Sequence, residues 1–253
     1  MDWTKTFYKQ QLEWSRADST LNNEIHLLHQ ERVDIIARLI PTATHILELG
    51  GGNGQFAVAA AKRGYRVTMI DIVPELITQA KQLASEHHVR SQIQFVTGSF
   101  YNVDLPDRYD AVCYWDGFGI GSDKDQQHLL SRIDNWLTDQ GTALIDIYTP
   151  WYWAQAHGQT MQFGEIKRQY TFDAVTCCMI DTWTHVDEEN NAVKQTLRCY
   201  SPADLALLLD ETTLQLKDCE PGGKFDYIHS KWHPSVPLHE AMTFLAVLAK
   251  LNR

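Results

Sequence analysis

The sequence lacks any long run of apolar residues. None of its 253 residues lies in a stretch that approaches the roughly 20 consecutive apolar residues of a membrane span. The first residues, MDWTKTFYKQQ, also lack the continuous apolar core of a secretory signal. We therefore expect no membrane partner and a cytoplasmic location.

Patterned metal ligands are missing as well. The cysteines follow neither a zinc-ligand spacing nor the CxxC spacing of a redox site, so free thiols are expected. They are Cys113, Cys177, Cys178, Cys199 and Cys219. His229 and His233 are four residues apart, but Pro234 favours a loop there and no third ligand follows at a typical spacing. We predict no metal site.

The chain has few basic residues for its length. Its 22 lysines and arginines stand against 32 acidic residues, which gives a formal net charge of −10. Nucleic-acid binding relies on Lys and Arg side chains that neutralise phosphates, and the sequence contains no basic run. The expected partner is therefore a small molecule and not a nucleic acid. The sequence makes no prediction of the oligomeric state.

What is present is a regular alternation of strands and helices between His45 and Tyr148. An apolar pattern at helical spacing over Leu21–Ile40, which Pro41 ends, precedes it. Strands alternating with helices of this length indicate βαβ units and a parallel sheet. The predicted strands are 45–49, 66–70, 92–96, 111–115 and 142–148, and the helices are 55–62, 74–87 and 125–137.

The alternation breaks at Pro150. Segments rich in Thr, Val, Tyr, Trp and Cys predict antiparallel strands, the last two joined by a turn over Asp187–Asn191. Alternation then resumes with a helix that Ser201 caps and Pro202 begins. The antiparallel strands are predicted at 167–172, 176–184 and 193–200, the helix ends at residue 209, and two further strands are predicted at 214–219 and 242–248.

The segment from Ile46 to Phe56 carries the strongest chemical signal. A strand enters, glycines form a tight turn, and a helix leaves with free backbone N–H groups that point back towards a ligand. Glu48 at the end of the strand suits a cationic or amine-bearing ligand and would repel a pyrophosphate. Asp71, nineteen residues after Gly52 at the end of the next strand, can accept the hydroxyls of a ribose.

The run E-x-G-x-G-x-G, followed by Asp71, resembles the cofactor motifs of class I S-adenosylmethionine-dependent methyltransferases. The resemblance implies an α/β fold with a Rossmann-like, doubly wound sheet of seven mostly parallel strands, the last antiparallel, and S-adenosylmethionine as cofactor. Ser99 replaces the acid that the family often has beside the adenine, and Phe100 would pack on that ring. The residues predicted to bind the cofactor are Glu48, Gly50, Gly51, Gly52, Gly54, Asp71, Ile72, Ser99, Phe100 and Trp115.

The length of the chain and the order of its predicted elements favour one methyltransferase domain with four parts. These are an N-terminal helical lid at 1–41, a cofactor-binding core at 42–149, an antiparallel β cap at 150–199, and the end of the core sheet at 200–253. The expected reaction is in-line transfer of a methyl group to an O, N or C nucleophile of a small acceptor, with catalysis mainly by proximity and alignment. The candidate catalytic residues are Asp116, Tyr200 and Tyr8.

Aromatic residues are frequent near the predicted carboxyl ends of the strands, where open α/β sheets bind ligands. The sequence contains eight tryptophans. Phe118, Trp151 and Trp153 are predicted to contact the acceptor, because aromatic rings can hold an apolar or cationic group. Packing inside the cap is the alternative role of these rings.

Other functions remain open from the residues alone. The segment from Gly52 to Ala57 also fits the looser G-x-G-x-x-A pattern of an NAD site with Asp71 on its ribose, which would make the chain an oxidoreductase. A nucleic-acid methyltransferase would keep the same cofactor motif but needs a basic groove. A methyltransferase-like scaffold without activity would have a degraded glycine loop, and this loop is intact.

Overall fold

A seven-stranded sheet lies at the centre of the computed structural model, which describes residues 2–17, 24–187 and 191–251. The helices are α1 (Asp2–Ala17), α2 (Leu27–Leu39), α3 (Gln55–Lys62), α4 (Pro74–Glu86), α5 (Asp123–Trp136), α6 (Pro150–Gln155) and α7 (Pro202–Leu208). The strands are β1 (His45–Leu49), β2 (Arg66–Asp71), β3 (Ile93–Thr97), β4 (Tyr109–Tyr114), β5 (Leu137–Tyr148), β6 (Thr160–Phe163), β7 (Ile166–Asp173), β8 (Cys178–His185), β9 (Val193–Arg198), β10 (Leu214–Pro221), β11 (Lys224–Asp226), β12 (Lys231–His233) and β13 (Thr243–Lys250).

The strand order in the central sheet is β10-β13-β5-β4-β1-β2-β3. Strands β1 to β5 pair in parallel, whereas β13 runs antiparallel to both β5 and β10. The predicted fold class is therefore confirmed, including the antiparallel last strand. Because the first five strands are parallel, their carboxyl ends meet at one edge, and the segments that follow β1, β2, β3 and β4 lie close together there.

Helices cover both faces of this sheet. Buried residues of α2, α3 and α4 pack on one face, where Ile36, Phe56 and Ala80 belong to the same apolar cluster as β-strand residue Met69. Residues of α5 and α7 pack on the other face. Because successive strand residues point to opposite faces, the buried strands are apolar on both sides, as a covered parallel sheet requires.

Local sequence explains where the helices begin. Ser122 caps α5 and Ser201 caps α7, each in a capping box with the acidic residue three positions later, Asp125 and Asp204. Helix α5 was predicted to start at residue 125 but starts at Asp123, since the capping residue is Ser122. None of the described helices is long and apolar enough to cross a membrane.

The predicted β cap contains a second sheet with the order β6-β7-β8-β9, all antiparallel. Helix α1 packs against it, with the ring of Phe7 edge-on to Trp183 at 5.7 Å between centroids. Helix α6 packs there too, with the rings of Trp153 and Tyr170 at 5.2 Å. The six-residue helix α6 and the strand β6 were not predicted, because a helix this short shows too little periodicity.

Other boundaries differ from the predictions for local reasons. Helix α2 begins at Leu27 with His26 as its capping residue, and the predicted start at Leu21 lies outside the described residues. Strand β5 begins at Leu137, directly after α5 and five residues before the predicted start. Residues 188–190 of the predicted Asp187–Asn191 turn also lie outside the described residues.

The segment between β10 and β13 was predicted as a loop at residues 226–233. It forms a short hairpin of β11 and β12 instead. The side chain of Asp226 accepts the backbone N–H groups of Ile228 and His229, which forms the turn between the two strands. Strands of three residues are too short to give an alternating pattern in the sequence.

Candidate functional site

A cavity of about 310 Å³ opens at the carboxyl edge of the central sheet. Its floor is built by the segments that follow β1, β2, β3 and β4, and residues of α1 form another wall. Ligand pockets of small-molecule proteins begin at about this size. Eight of the residues predicted for cofactor binding or catalysis line it: Tyr8, Gly50, Gly52, Asp71, Ile72, Ser99, Phe100 and Asp116.

The turn between β1 and α3 brings bare backbone to the cavity. Gly52 has a φ of +56°, and a Cβ built on it would meet no atom within 4 Å, so this position faces open space. Gly54 has a φ of +83° and lies against α4, where a Cβ would stand 2.5 Å from the Cβ of Ala80. A side chain is thus excluded at Gly54 by both backbone conformation and packing. The turn can therefore hold a ligand close to its backbone on one side because it packs tightly on the other.

Asp71 is held in a single orientation by the backbone. Its Oδ2 accepts the N–H of Gly52 and its Oδ1 accepts the N–H of Val73, both at 2.8 Å. The residue is only 7% exposed, and burial raises the pKa of its carboxyl group. Each carboxylate oxygen has two lone pairs, so the group can accept further hydrogen bonds from a ligand. A diol such as a ribose matches this pair of oxygens.

Glu48 is a buried carboxylate with unused hydrogen-bonding capacity. It is 4% exposed, and its Oε2 has no hydrogen-bond partner among the described residues. Burial raises the pKa of Glu48 well above its usual range, and the charge of Arg32 opposes this rise. A buried acceptor without a partner is costly and fits a ligand that brings a donor. An amine would be such a ligand.

The cavity wall also contains Asp116, two residues after the end of β4. Its Oδ1 accepts the hydroxyl of Tyr148 at 2.7 Å. Tyr8 of α1 lines the same cavity, where burial first, and then the charges of Asp116 and Asp71, raise the pKa of its hydroxyl. The predicted candidates Asp116 and Tyr8 are therefore brought together, with the ligand-facing Asp71 close to them.

Several residues predicted for the site lie outside the cavity wall. Trp115 is buried against Phe56, with ring centroids 5.1 Å apart. Glu48, Gly51 and Gly54 lie behind the wall in the strand and turn that support it.

Tyr200, the third predicted catalytic candidate, also lies outside the cavity wall. Its hydroxyl donates to Asp123 at 2.8 Å, and its ring packs on the fully buried Phe118 at 5.6 Å. Trp153 is 4% exposed and donates its indole N–H to the carbonyl of Met242 at 3.2 Å. Trp151 is half-buried in the same cluster of the cap. Trp153 and the half-buried Trp151 belong to the apolar cluster of the cap, whereas Phe118 and Tyr200 belong to the cluster on the face of the central sheet that α5 and α7 cover.

Sequence reasoning missed part of the cavity wall. The missed residues are Thr4, Gln11, Leu12, Asn53, Leu76, Gln79, Tyr101, Tyr114 and Ile120. Thr4, Tyr8 and Gln11 are spaced at i, i+4 and i+7, which places them on one face of α1. Once Tyr8 is assigned to the site, this spacing would have found the other two.

Comparison with known proteins supports the same interpretation. A family profile described as a methyltransferase domain matches residues 46–141. The tRNA 5-carboxymethoxyuridine methyltransferase of Escherichia coli (strain K12) is 34% identical over 70 residues, which are 28% of this chain and 27% of that protein. The ubiquinone/menaquinone biosynthesis C-methyltransferase UbiE of Rhodopseudomonas palustris (strain HaA2) is 35% identical over 79 residues, 30% of either chain. The matches thus span less than a third of these relatives.

Solved structures match over nearly the whole chain. The CcbJ methyltransferase from Streptomyces caelestis has a TM-score of 0.72 at 19% identity and covers 88% of this chain and 90% of its own. An S-adenosylmethionine-dependent methyltransferase from Clostridium acetobutylicum has a TM-score of 0.71 at 13% identity, with 95% and 98% covered. Residues 46–141 thus form a methyltransferase domain, and the chain has the fold of S-adenosylmethionine-dependent methyltransferases. The predicted family, and with it the cofactor of that family, is confirmed.

The residues of the methyltransferase domain fit that cofactor. The bare backbone of Gly50 and Gly52 lines the cavity, and the carboxylate of Asp71 is oriented towards it. The buried Glu48 lies below the same turn with one oxygen free of partners among the described residues. A ribose, an amine and a sulfonium all suit carboxylate oxygens, whereas a pyrophosphate would be repelled by them. This set of donors and acceptors favours S-adenosylmethionine over NAD.

Proposed function

We propose that this protein transfers a methyl group from S-adenosylmethionine to an O, N or C nucleophile of a small molecule. The observation that carries the proposal is the cavity that joins the glycine turn and Asp71 to Asp116 under the cover of α1. The cofactor would lie against the glycine turn and Asp71, and an acceptor would lie beside Asp116. When bound, the cofactor supplies an electrophilic methyl group on a sulfonium.

The protein's own residues would act by binding and alignment. Gly50 and Gly52 would lie under the amino-acid part of the cofactor, Asp71 would hold its ribose, and Phe100 would pack beside its adenine. Helix α1 would exclude water from above, in keeping with the lid assigned to residues 1–41, while the segment 150–199 would act as the cap. Holding an acceptor in line with the methyl group supplies most of the rate enhancement in such a reaction.

A small acceptor is favoured over tRNA, although one of the relatives is named as a tRNA methyltransferase. The net charge of −10 opposes binding to a phosphate backbone. Among the described residues that line the cavity, Asp71 and Asp116 are charged and no Lys or Arg is present. A phosphate-rich acceptor would find no counter-charge there. The cytoplasmic location stays a prediction.

The test is isothermal titration of the purified protein with S-adenosylhomocysteine, with NAD as the control ligand. We expect micromolar binding, about −8 kcal/mol, for S-adenosylhomocysteine and no heat with NAD. Binding of NAD in place of S-adenosylhomocysteine would contradict the proposal and favour an oxidoreductase. A nucleic-acid acceptor would instead show as methyl transfer to bulk RNA or DNA that falls steeply with added salt.

A further inference from the structure

The charge of the cavity wall restricts what can bind beside the cofactor. Of the described residues in the wall, only Asp71 and Asp116 are acidic, and none is Lys, Arg or His. Arg32, which donates to the carbonyl of Trp115 next to Asp116, and Arg168 each have a carboxyl group as a neighbour. Arg32 lies 3.5 Å from Asp146, and Arg168 lies 2.5 Å from Asp181, which is fully buried. The wall is therefore negative, and it disfavours a carboxylate or phosphate next to the reacting atom.

Tyr148 gives Asp116 a defined direction. Tyr148 is the last residue of β5, and its carbonyl accepts the N–H of Tyr200 at 3.0 Å, which anchors its backbone. Its ring packs on Trp153 with centroids 5.4 Å apart, so the side chain is held as well. From this position the hydroxyl donates to Oδ1 of Asp116. Oδ2 accepts no hydrogen bond from the described residues and is available to a ligand.

A second polar atom of the wall has no partner. The hydroxyl oxygen of Thr4 on α1 is buried and makes no hydrogen bond within the described part of the chain. Buried hydroxyls normally find a partner, so this atom indicates a polar group of a ligand on the α1 side of the cavity. Asp116 and Thr4 together offer acceptor oxygens in a wall that also contains the aromatic rings of Tyr8, Phe100, Tyr101 and Tyr114.

We propose that the acceptor presents a protonated amine, that Asp116 binds this amine, and that Tyr148 positions the Asp116 carboxylate. The inference rests on the proposed methyltransferase function and deepens it by naming the acceptor class. An ammonium group brings several N–H donors and a positive charge, which match a carboxylate oxygen and neighbouring aromatic rings. The aromatic surroundings also suit an apolar body attached to the amine.

The chemistry of this step balances with the groups named. The ammonium first loses a proton to solvent through Asp116, which leaves a neutral nitrogen with a lone pair. That lone pair forms the new N–C bond while the S–C bond breaks, and the electron pair of the S–C bond goes to sulfur. The product is a methylated ammonium and a neutral thioether, so no oxidant or further reactant is needed. Asp116 is thus the catalytic residue and Tyr148 the positioning residue.

The experiment measures binding of three probes of nearly equal size to the full chain saturated with S-adenosylhomocysteine. The probes are benzylamine, benzyl alcohol and benzoate, titrated calorimetrically at neutral pH. We expect benzylamine to bind at least about tenfold more tightly than either of the others, as one close ion pair in partly screened surroundings implies. Asp116→Asn should abolish this preference and leave the affinity for S-adenosylhomocysteine unchanged.

Tyr148→Phe tests the positioning role. It should reduce the benzylamine preference, and adding it to Asp116→Asn should change nothing further, because both act on one interaction. An additive effect of the two substitutions would mean that Tyr148 has only a structural role. Asp139→Asn is the matched charge control: Asp139 is an exposed acid near the start of β5, at the opposite edge of the sheet, and its loss should leave the preference intact.

The outcomes separate this inference from the proposed function. If S-adenosylhomocysteine fails to bind, the proposed methyl-transfer function is wrong. If S-adenosylhomocysteine binds but benzylamine binds no more tightly than benzyl alcohol or benzoate, the amine assignment alone is overturned. The same conclusion holds if none of the three probes binds detectably. Retention of the preference in Asp116→Asn would also overturn the role of Asp116.

Discussion

Replacing Asp71 with alanine should separate two roles that this carboxylate combines. Its two oxygens accept the backbone N–H groups of Gly52 and Val73 at 2.8 Å each, and we propose that they also accept the ribose hydroxyls of the cofactor. A hydrogen bond to a charged group contributes about 1.5–3 kcal/mol. Because water from the cavity can partly replace the lost acceptor, we expect a fall in the free energy of unfolding of about 2–4 kcal/mol.

The loss of the ribose contacts should add a separate effect on binding. Two hydrogen bonds at about 1.5 kcal/mol each amount to about 3 kcal/mol, which raises the dissociation constant for S-adenosylhomocysteine roughly a hundredfold. Urea unfolding measures the first effect, and isothermal titration at a temperature where the variant is fully folded measures the second. A variant that is destabilised but binds S-adenosylhomocysteine as tightly as the natural protein would refute the ribose assignment.

Asp110 supplies the matched control for this experiment. Its Oδ2 accepts the backbone N–H groups of Thr44 and His45 at 2.8 and 3.0 Å, where β4 starts beside β1. It therefore resembles Asp71 as a carboxylate that holds two backbone amides, but it lies at the edge of the sheet opposite the cavity. Asp110→Ala should lower the free energy of unfolding by about 1–3 kcal/mol without weakening S-adenosylhomocysteine binding.

Two further predictions concern stability. Gly54→Ala should lower the free energy of unfolding by at least about 2 kcal/mol, because the residue has a φ of +83° and the added Cβ would stand 2.5 Å from that of Ala80. Gly64→Ala is the control: its φ is +96° but its Cβ would meet open space, so the loss in the same urea titrations should be only about 1 kcal/mol. Equal losses would contradict the packing argument. Burial raises the pKa of Asp146 to about 7, although the charge of Arg32 opposes the rise. Between about pH 4 and about pH 7 the folded protein therefore retains a proton on Asp146 that the unfolded chain has lost. The contribution of Asp146 to the free energy of unfolding falls over this range by up to about 1.4 kcal/mol per pH unit. Asp146→Asn should flatten the dependence of the free energy of unfolding on pH across that range. An unchanged pH dependence would contradict the assignment of this proton to Asp146.

Local sequence determined the elements around the cofactor site. The bounds of β1 and α3 agree with the prediction to the residue, because an apolar strand, a glycine turn and an Ala-rich helix are all specified within eighteen residues. Asp71 could be placed at the end of β2 for the same reason. The parallel sheet followed from the alternation of elements, since crossovers of that length bring strand ends to one edge.

The tertiary structure alone decided the rest of the site. Which face of α1 lines the cavity depends on how α1 packs against the second sheet, and the sequence around Thr4 does not encode that contact by itself. The pairing of Tyr148 with Asp116 joins residues 32 positions apart, and it exists only because β4 and β5 are neighbours.

The tryptophans of α6 show the same division. The sequence determined that Trp151 and Trp153 follow β5 at the ligand-binding edge, and this made them candidates for acceptor contact. The structure directs Trp153 into the core of the cap, where its indole N–H bonds the carbonyl of Met242, 89 positions away. The periodicity of apolar residues in the sequence indicates which element each of them occupies. The direction of a ring depends on distant segments that pack against it, and only the folded chain brings those segments together.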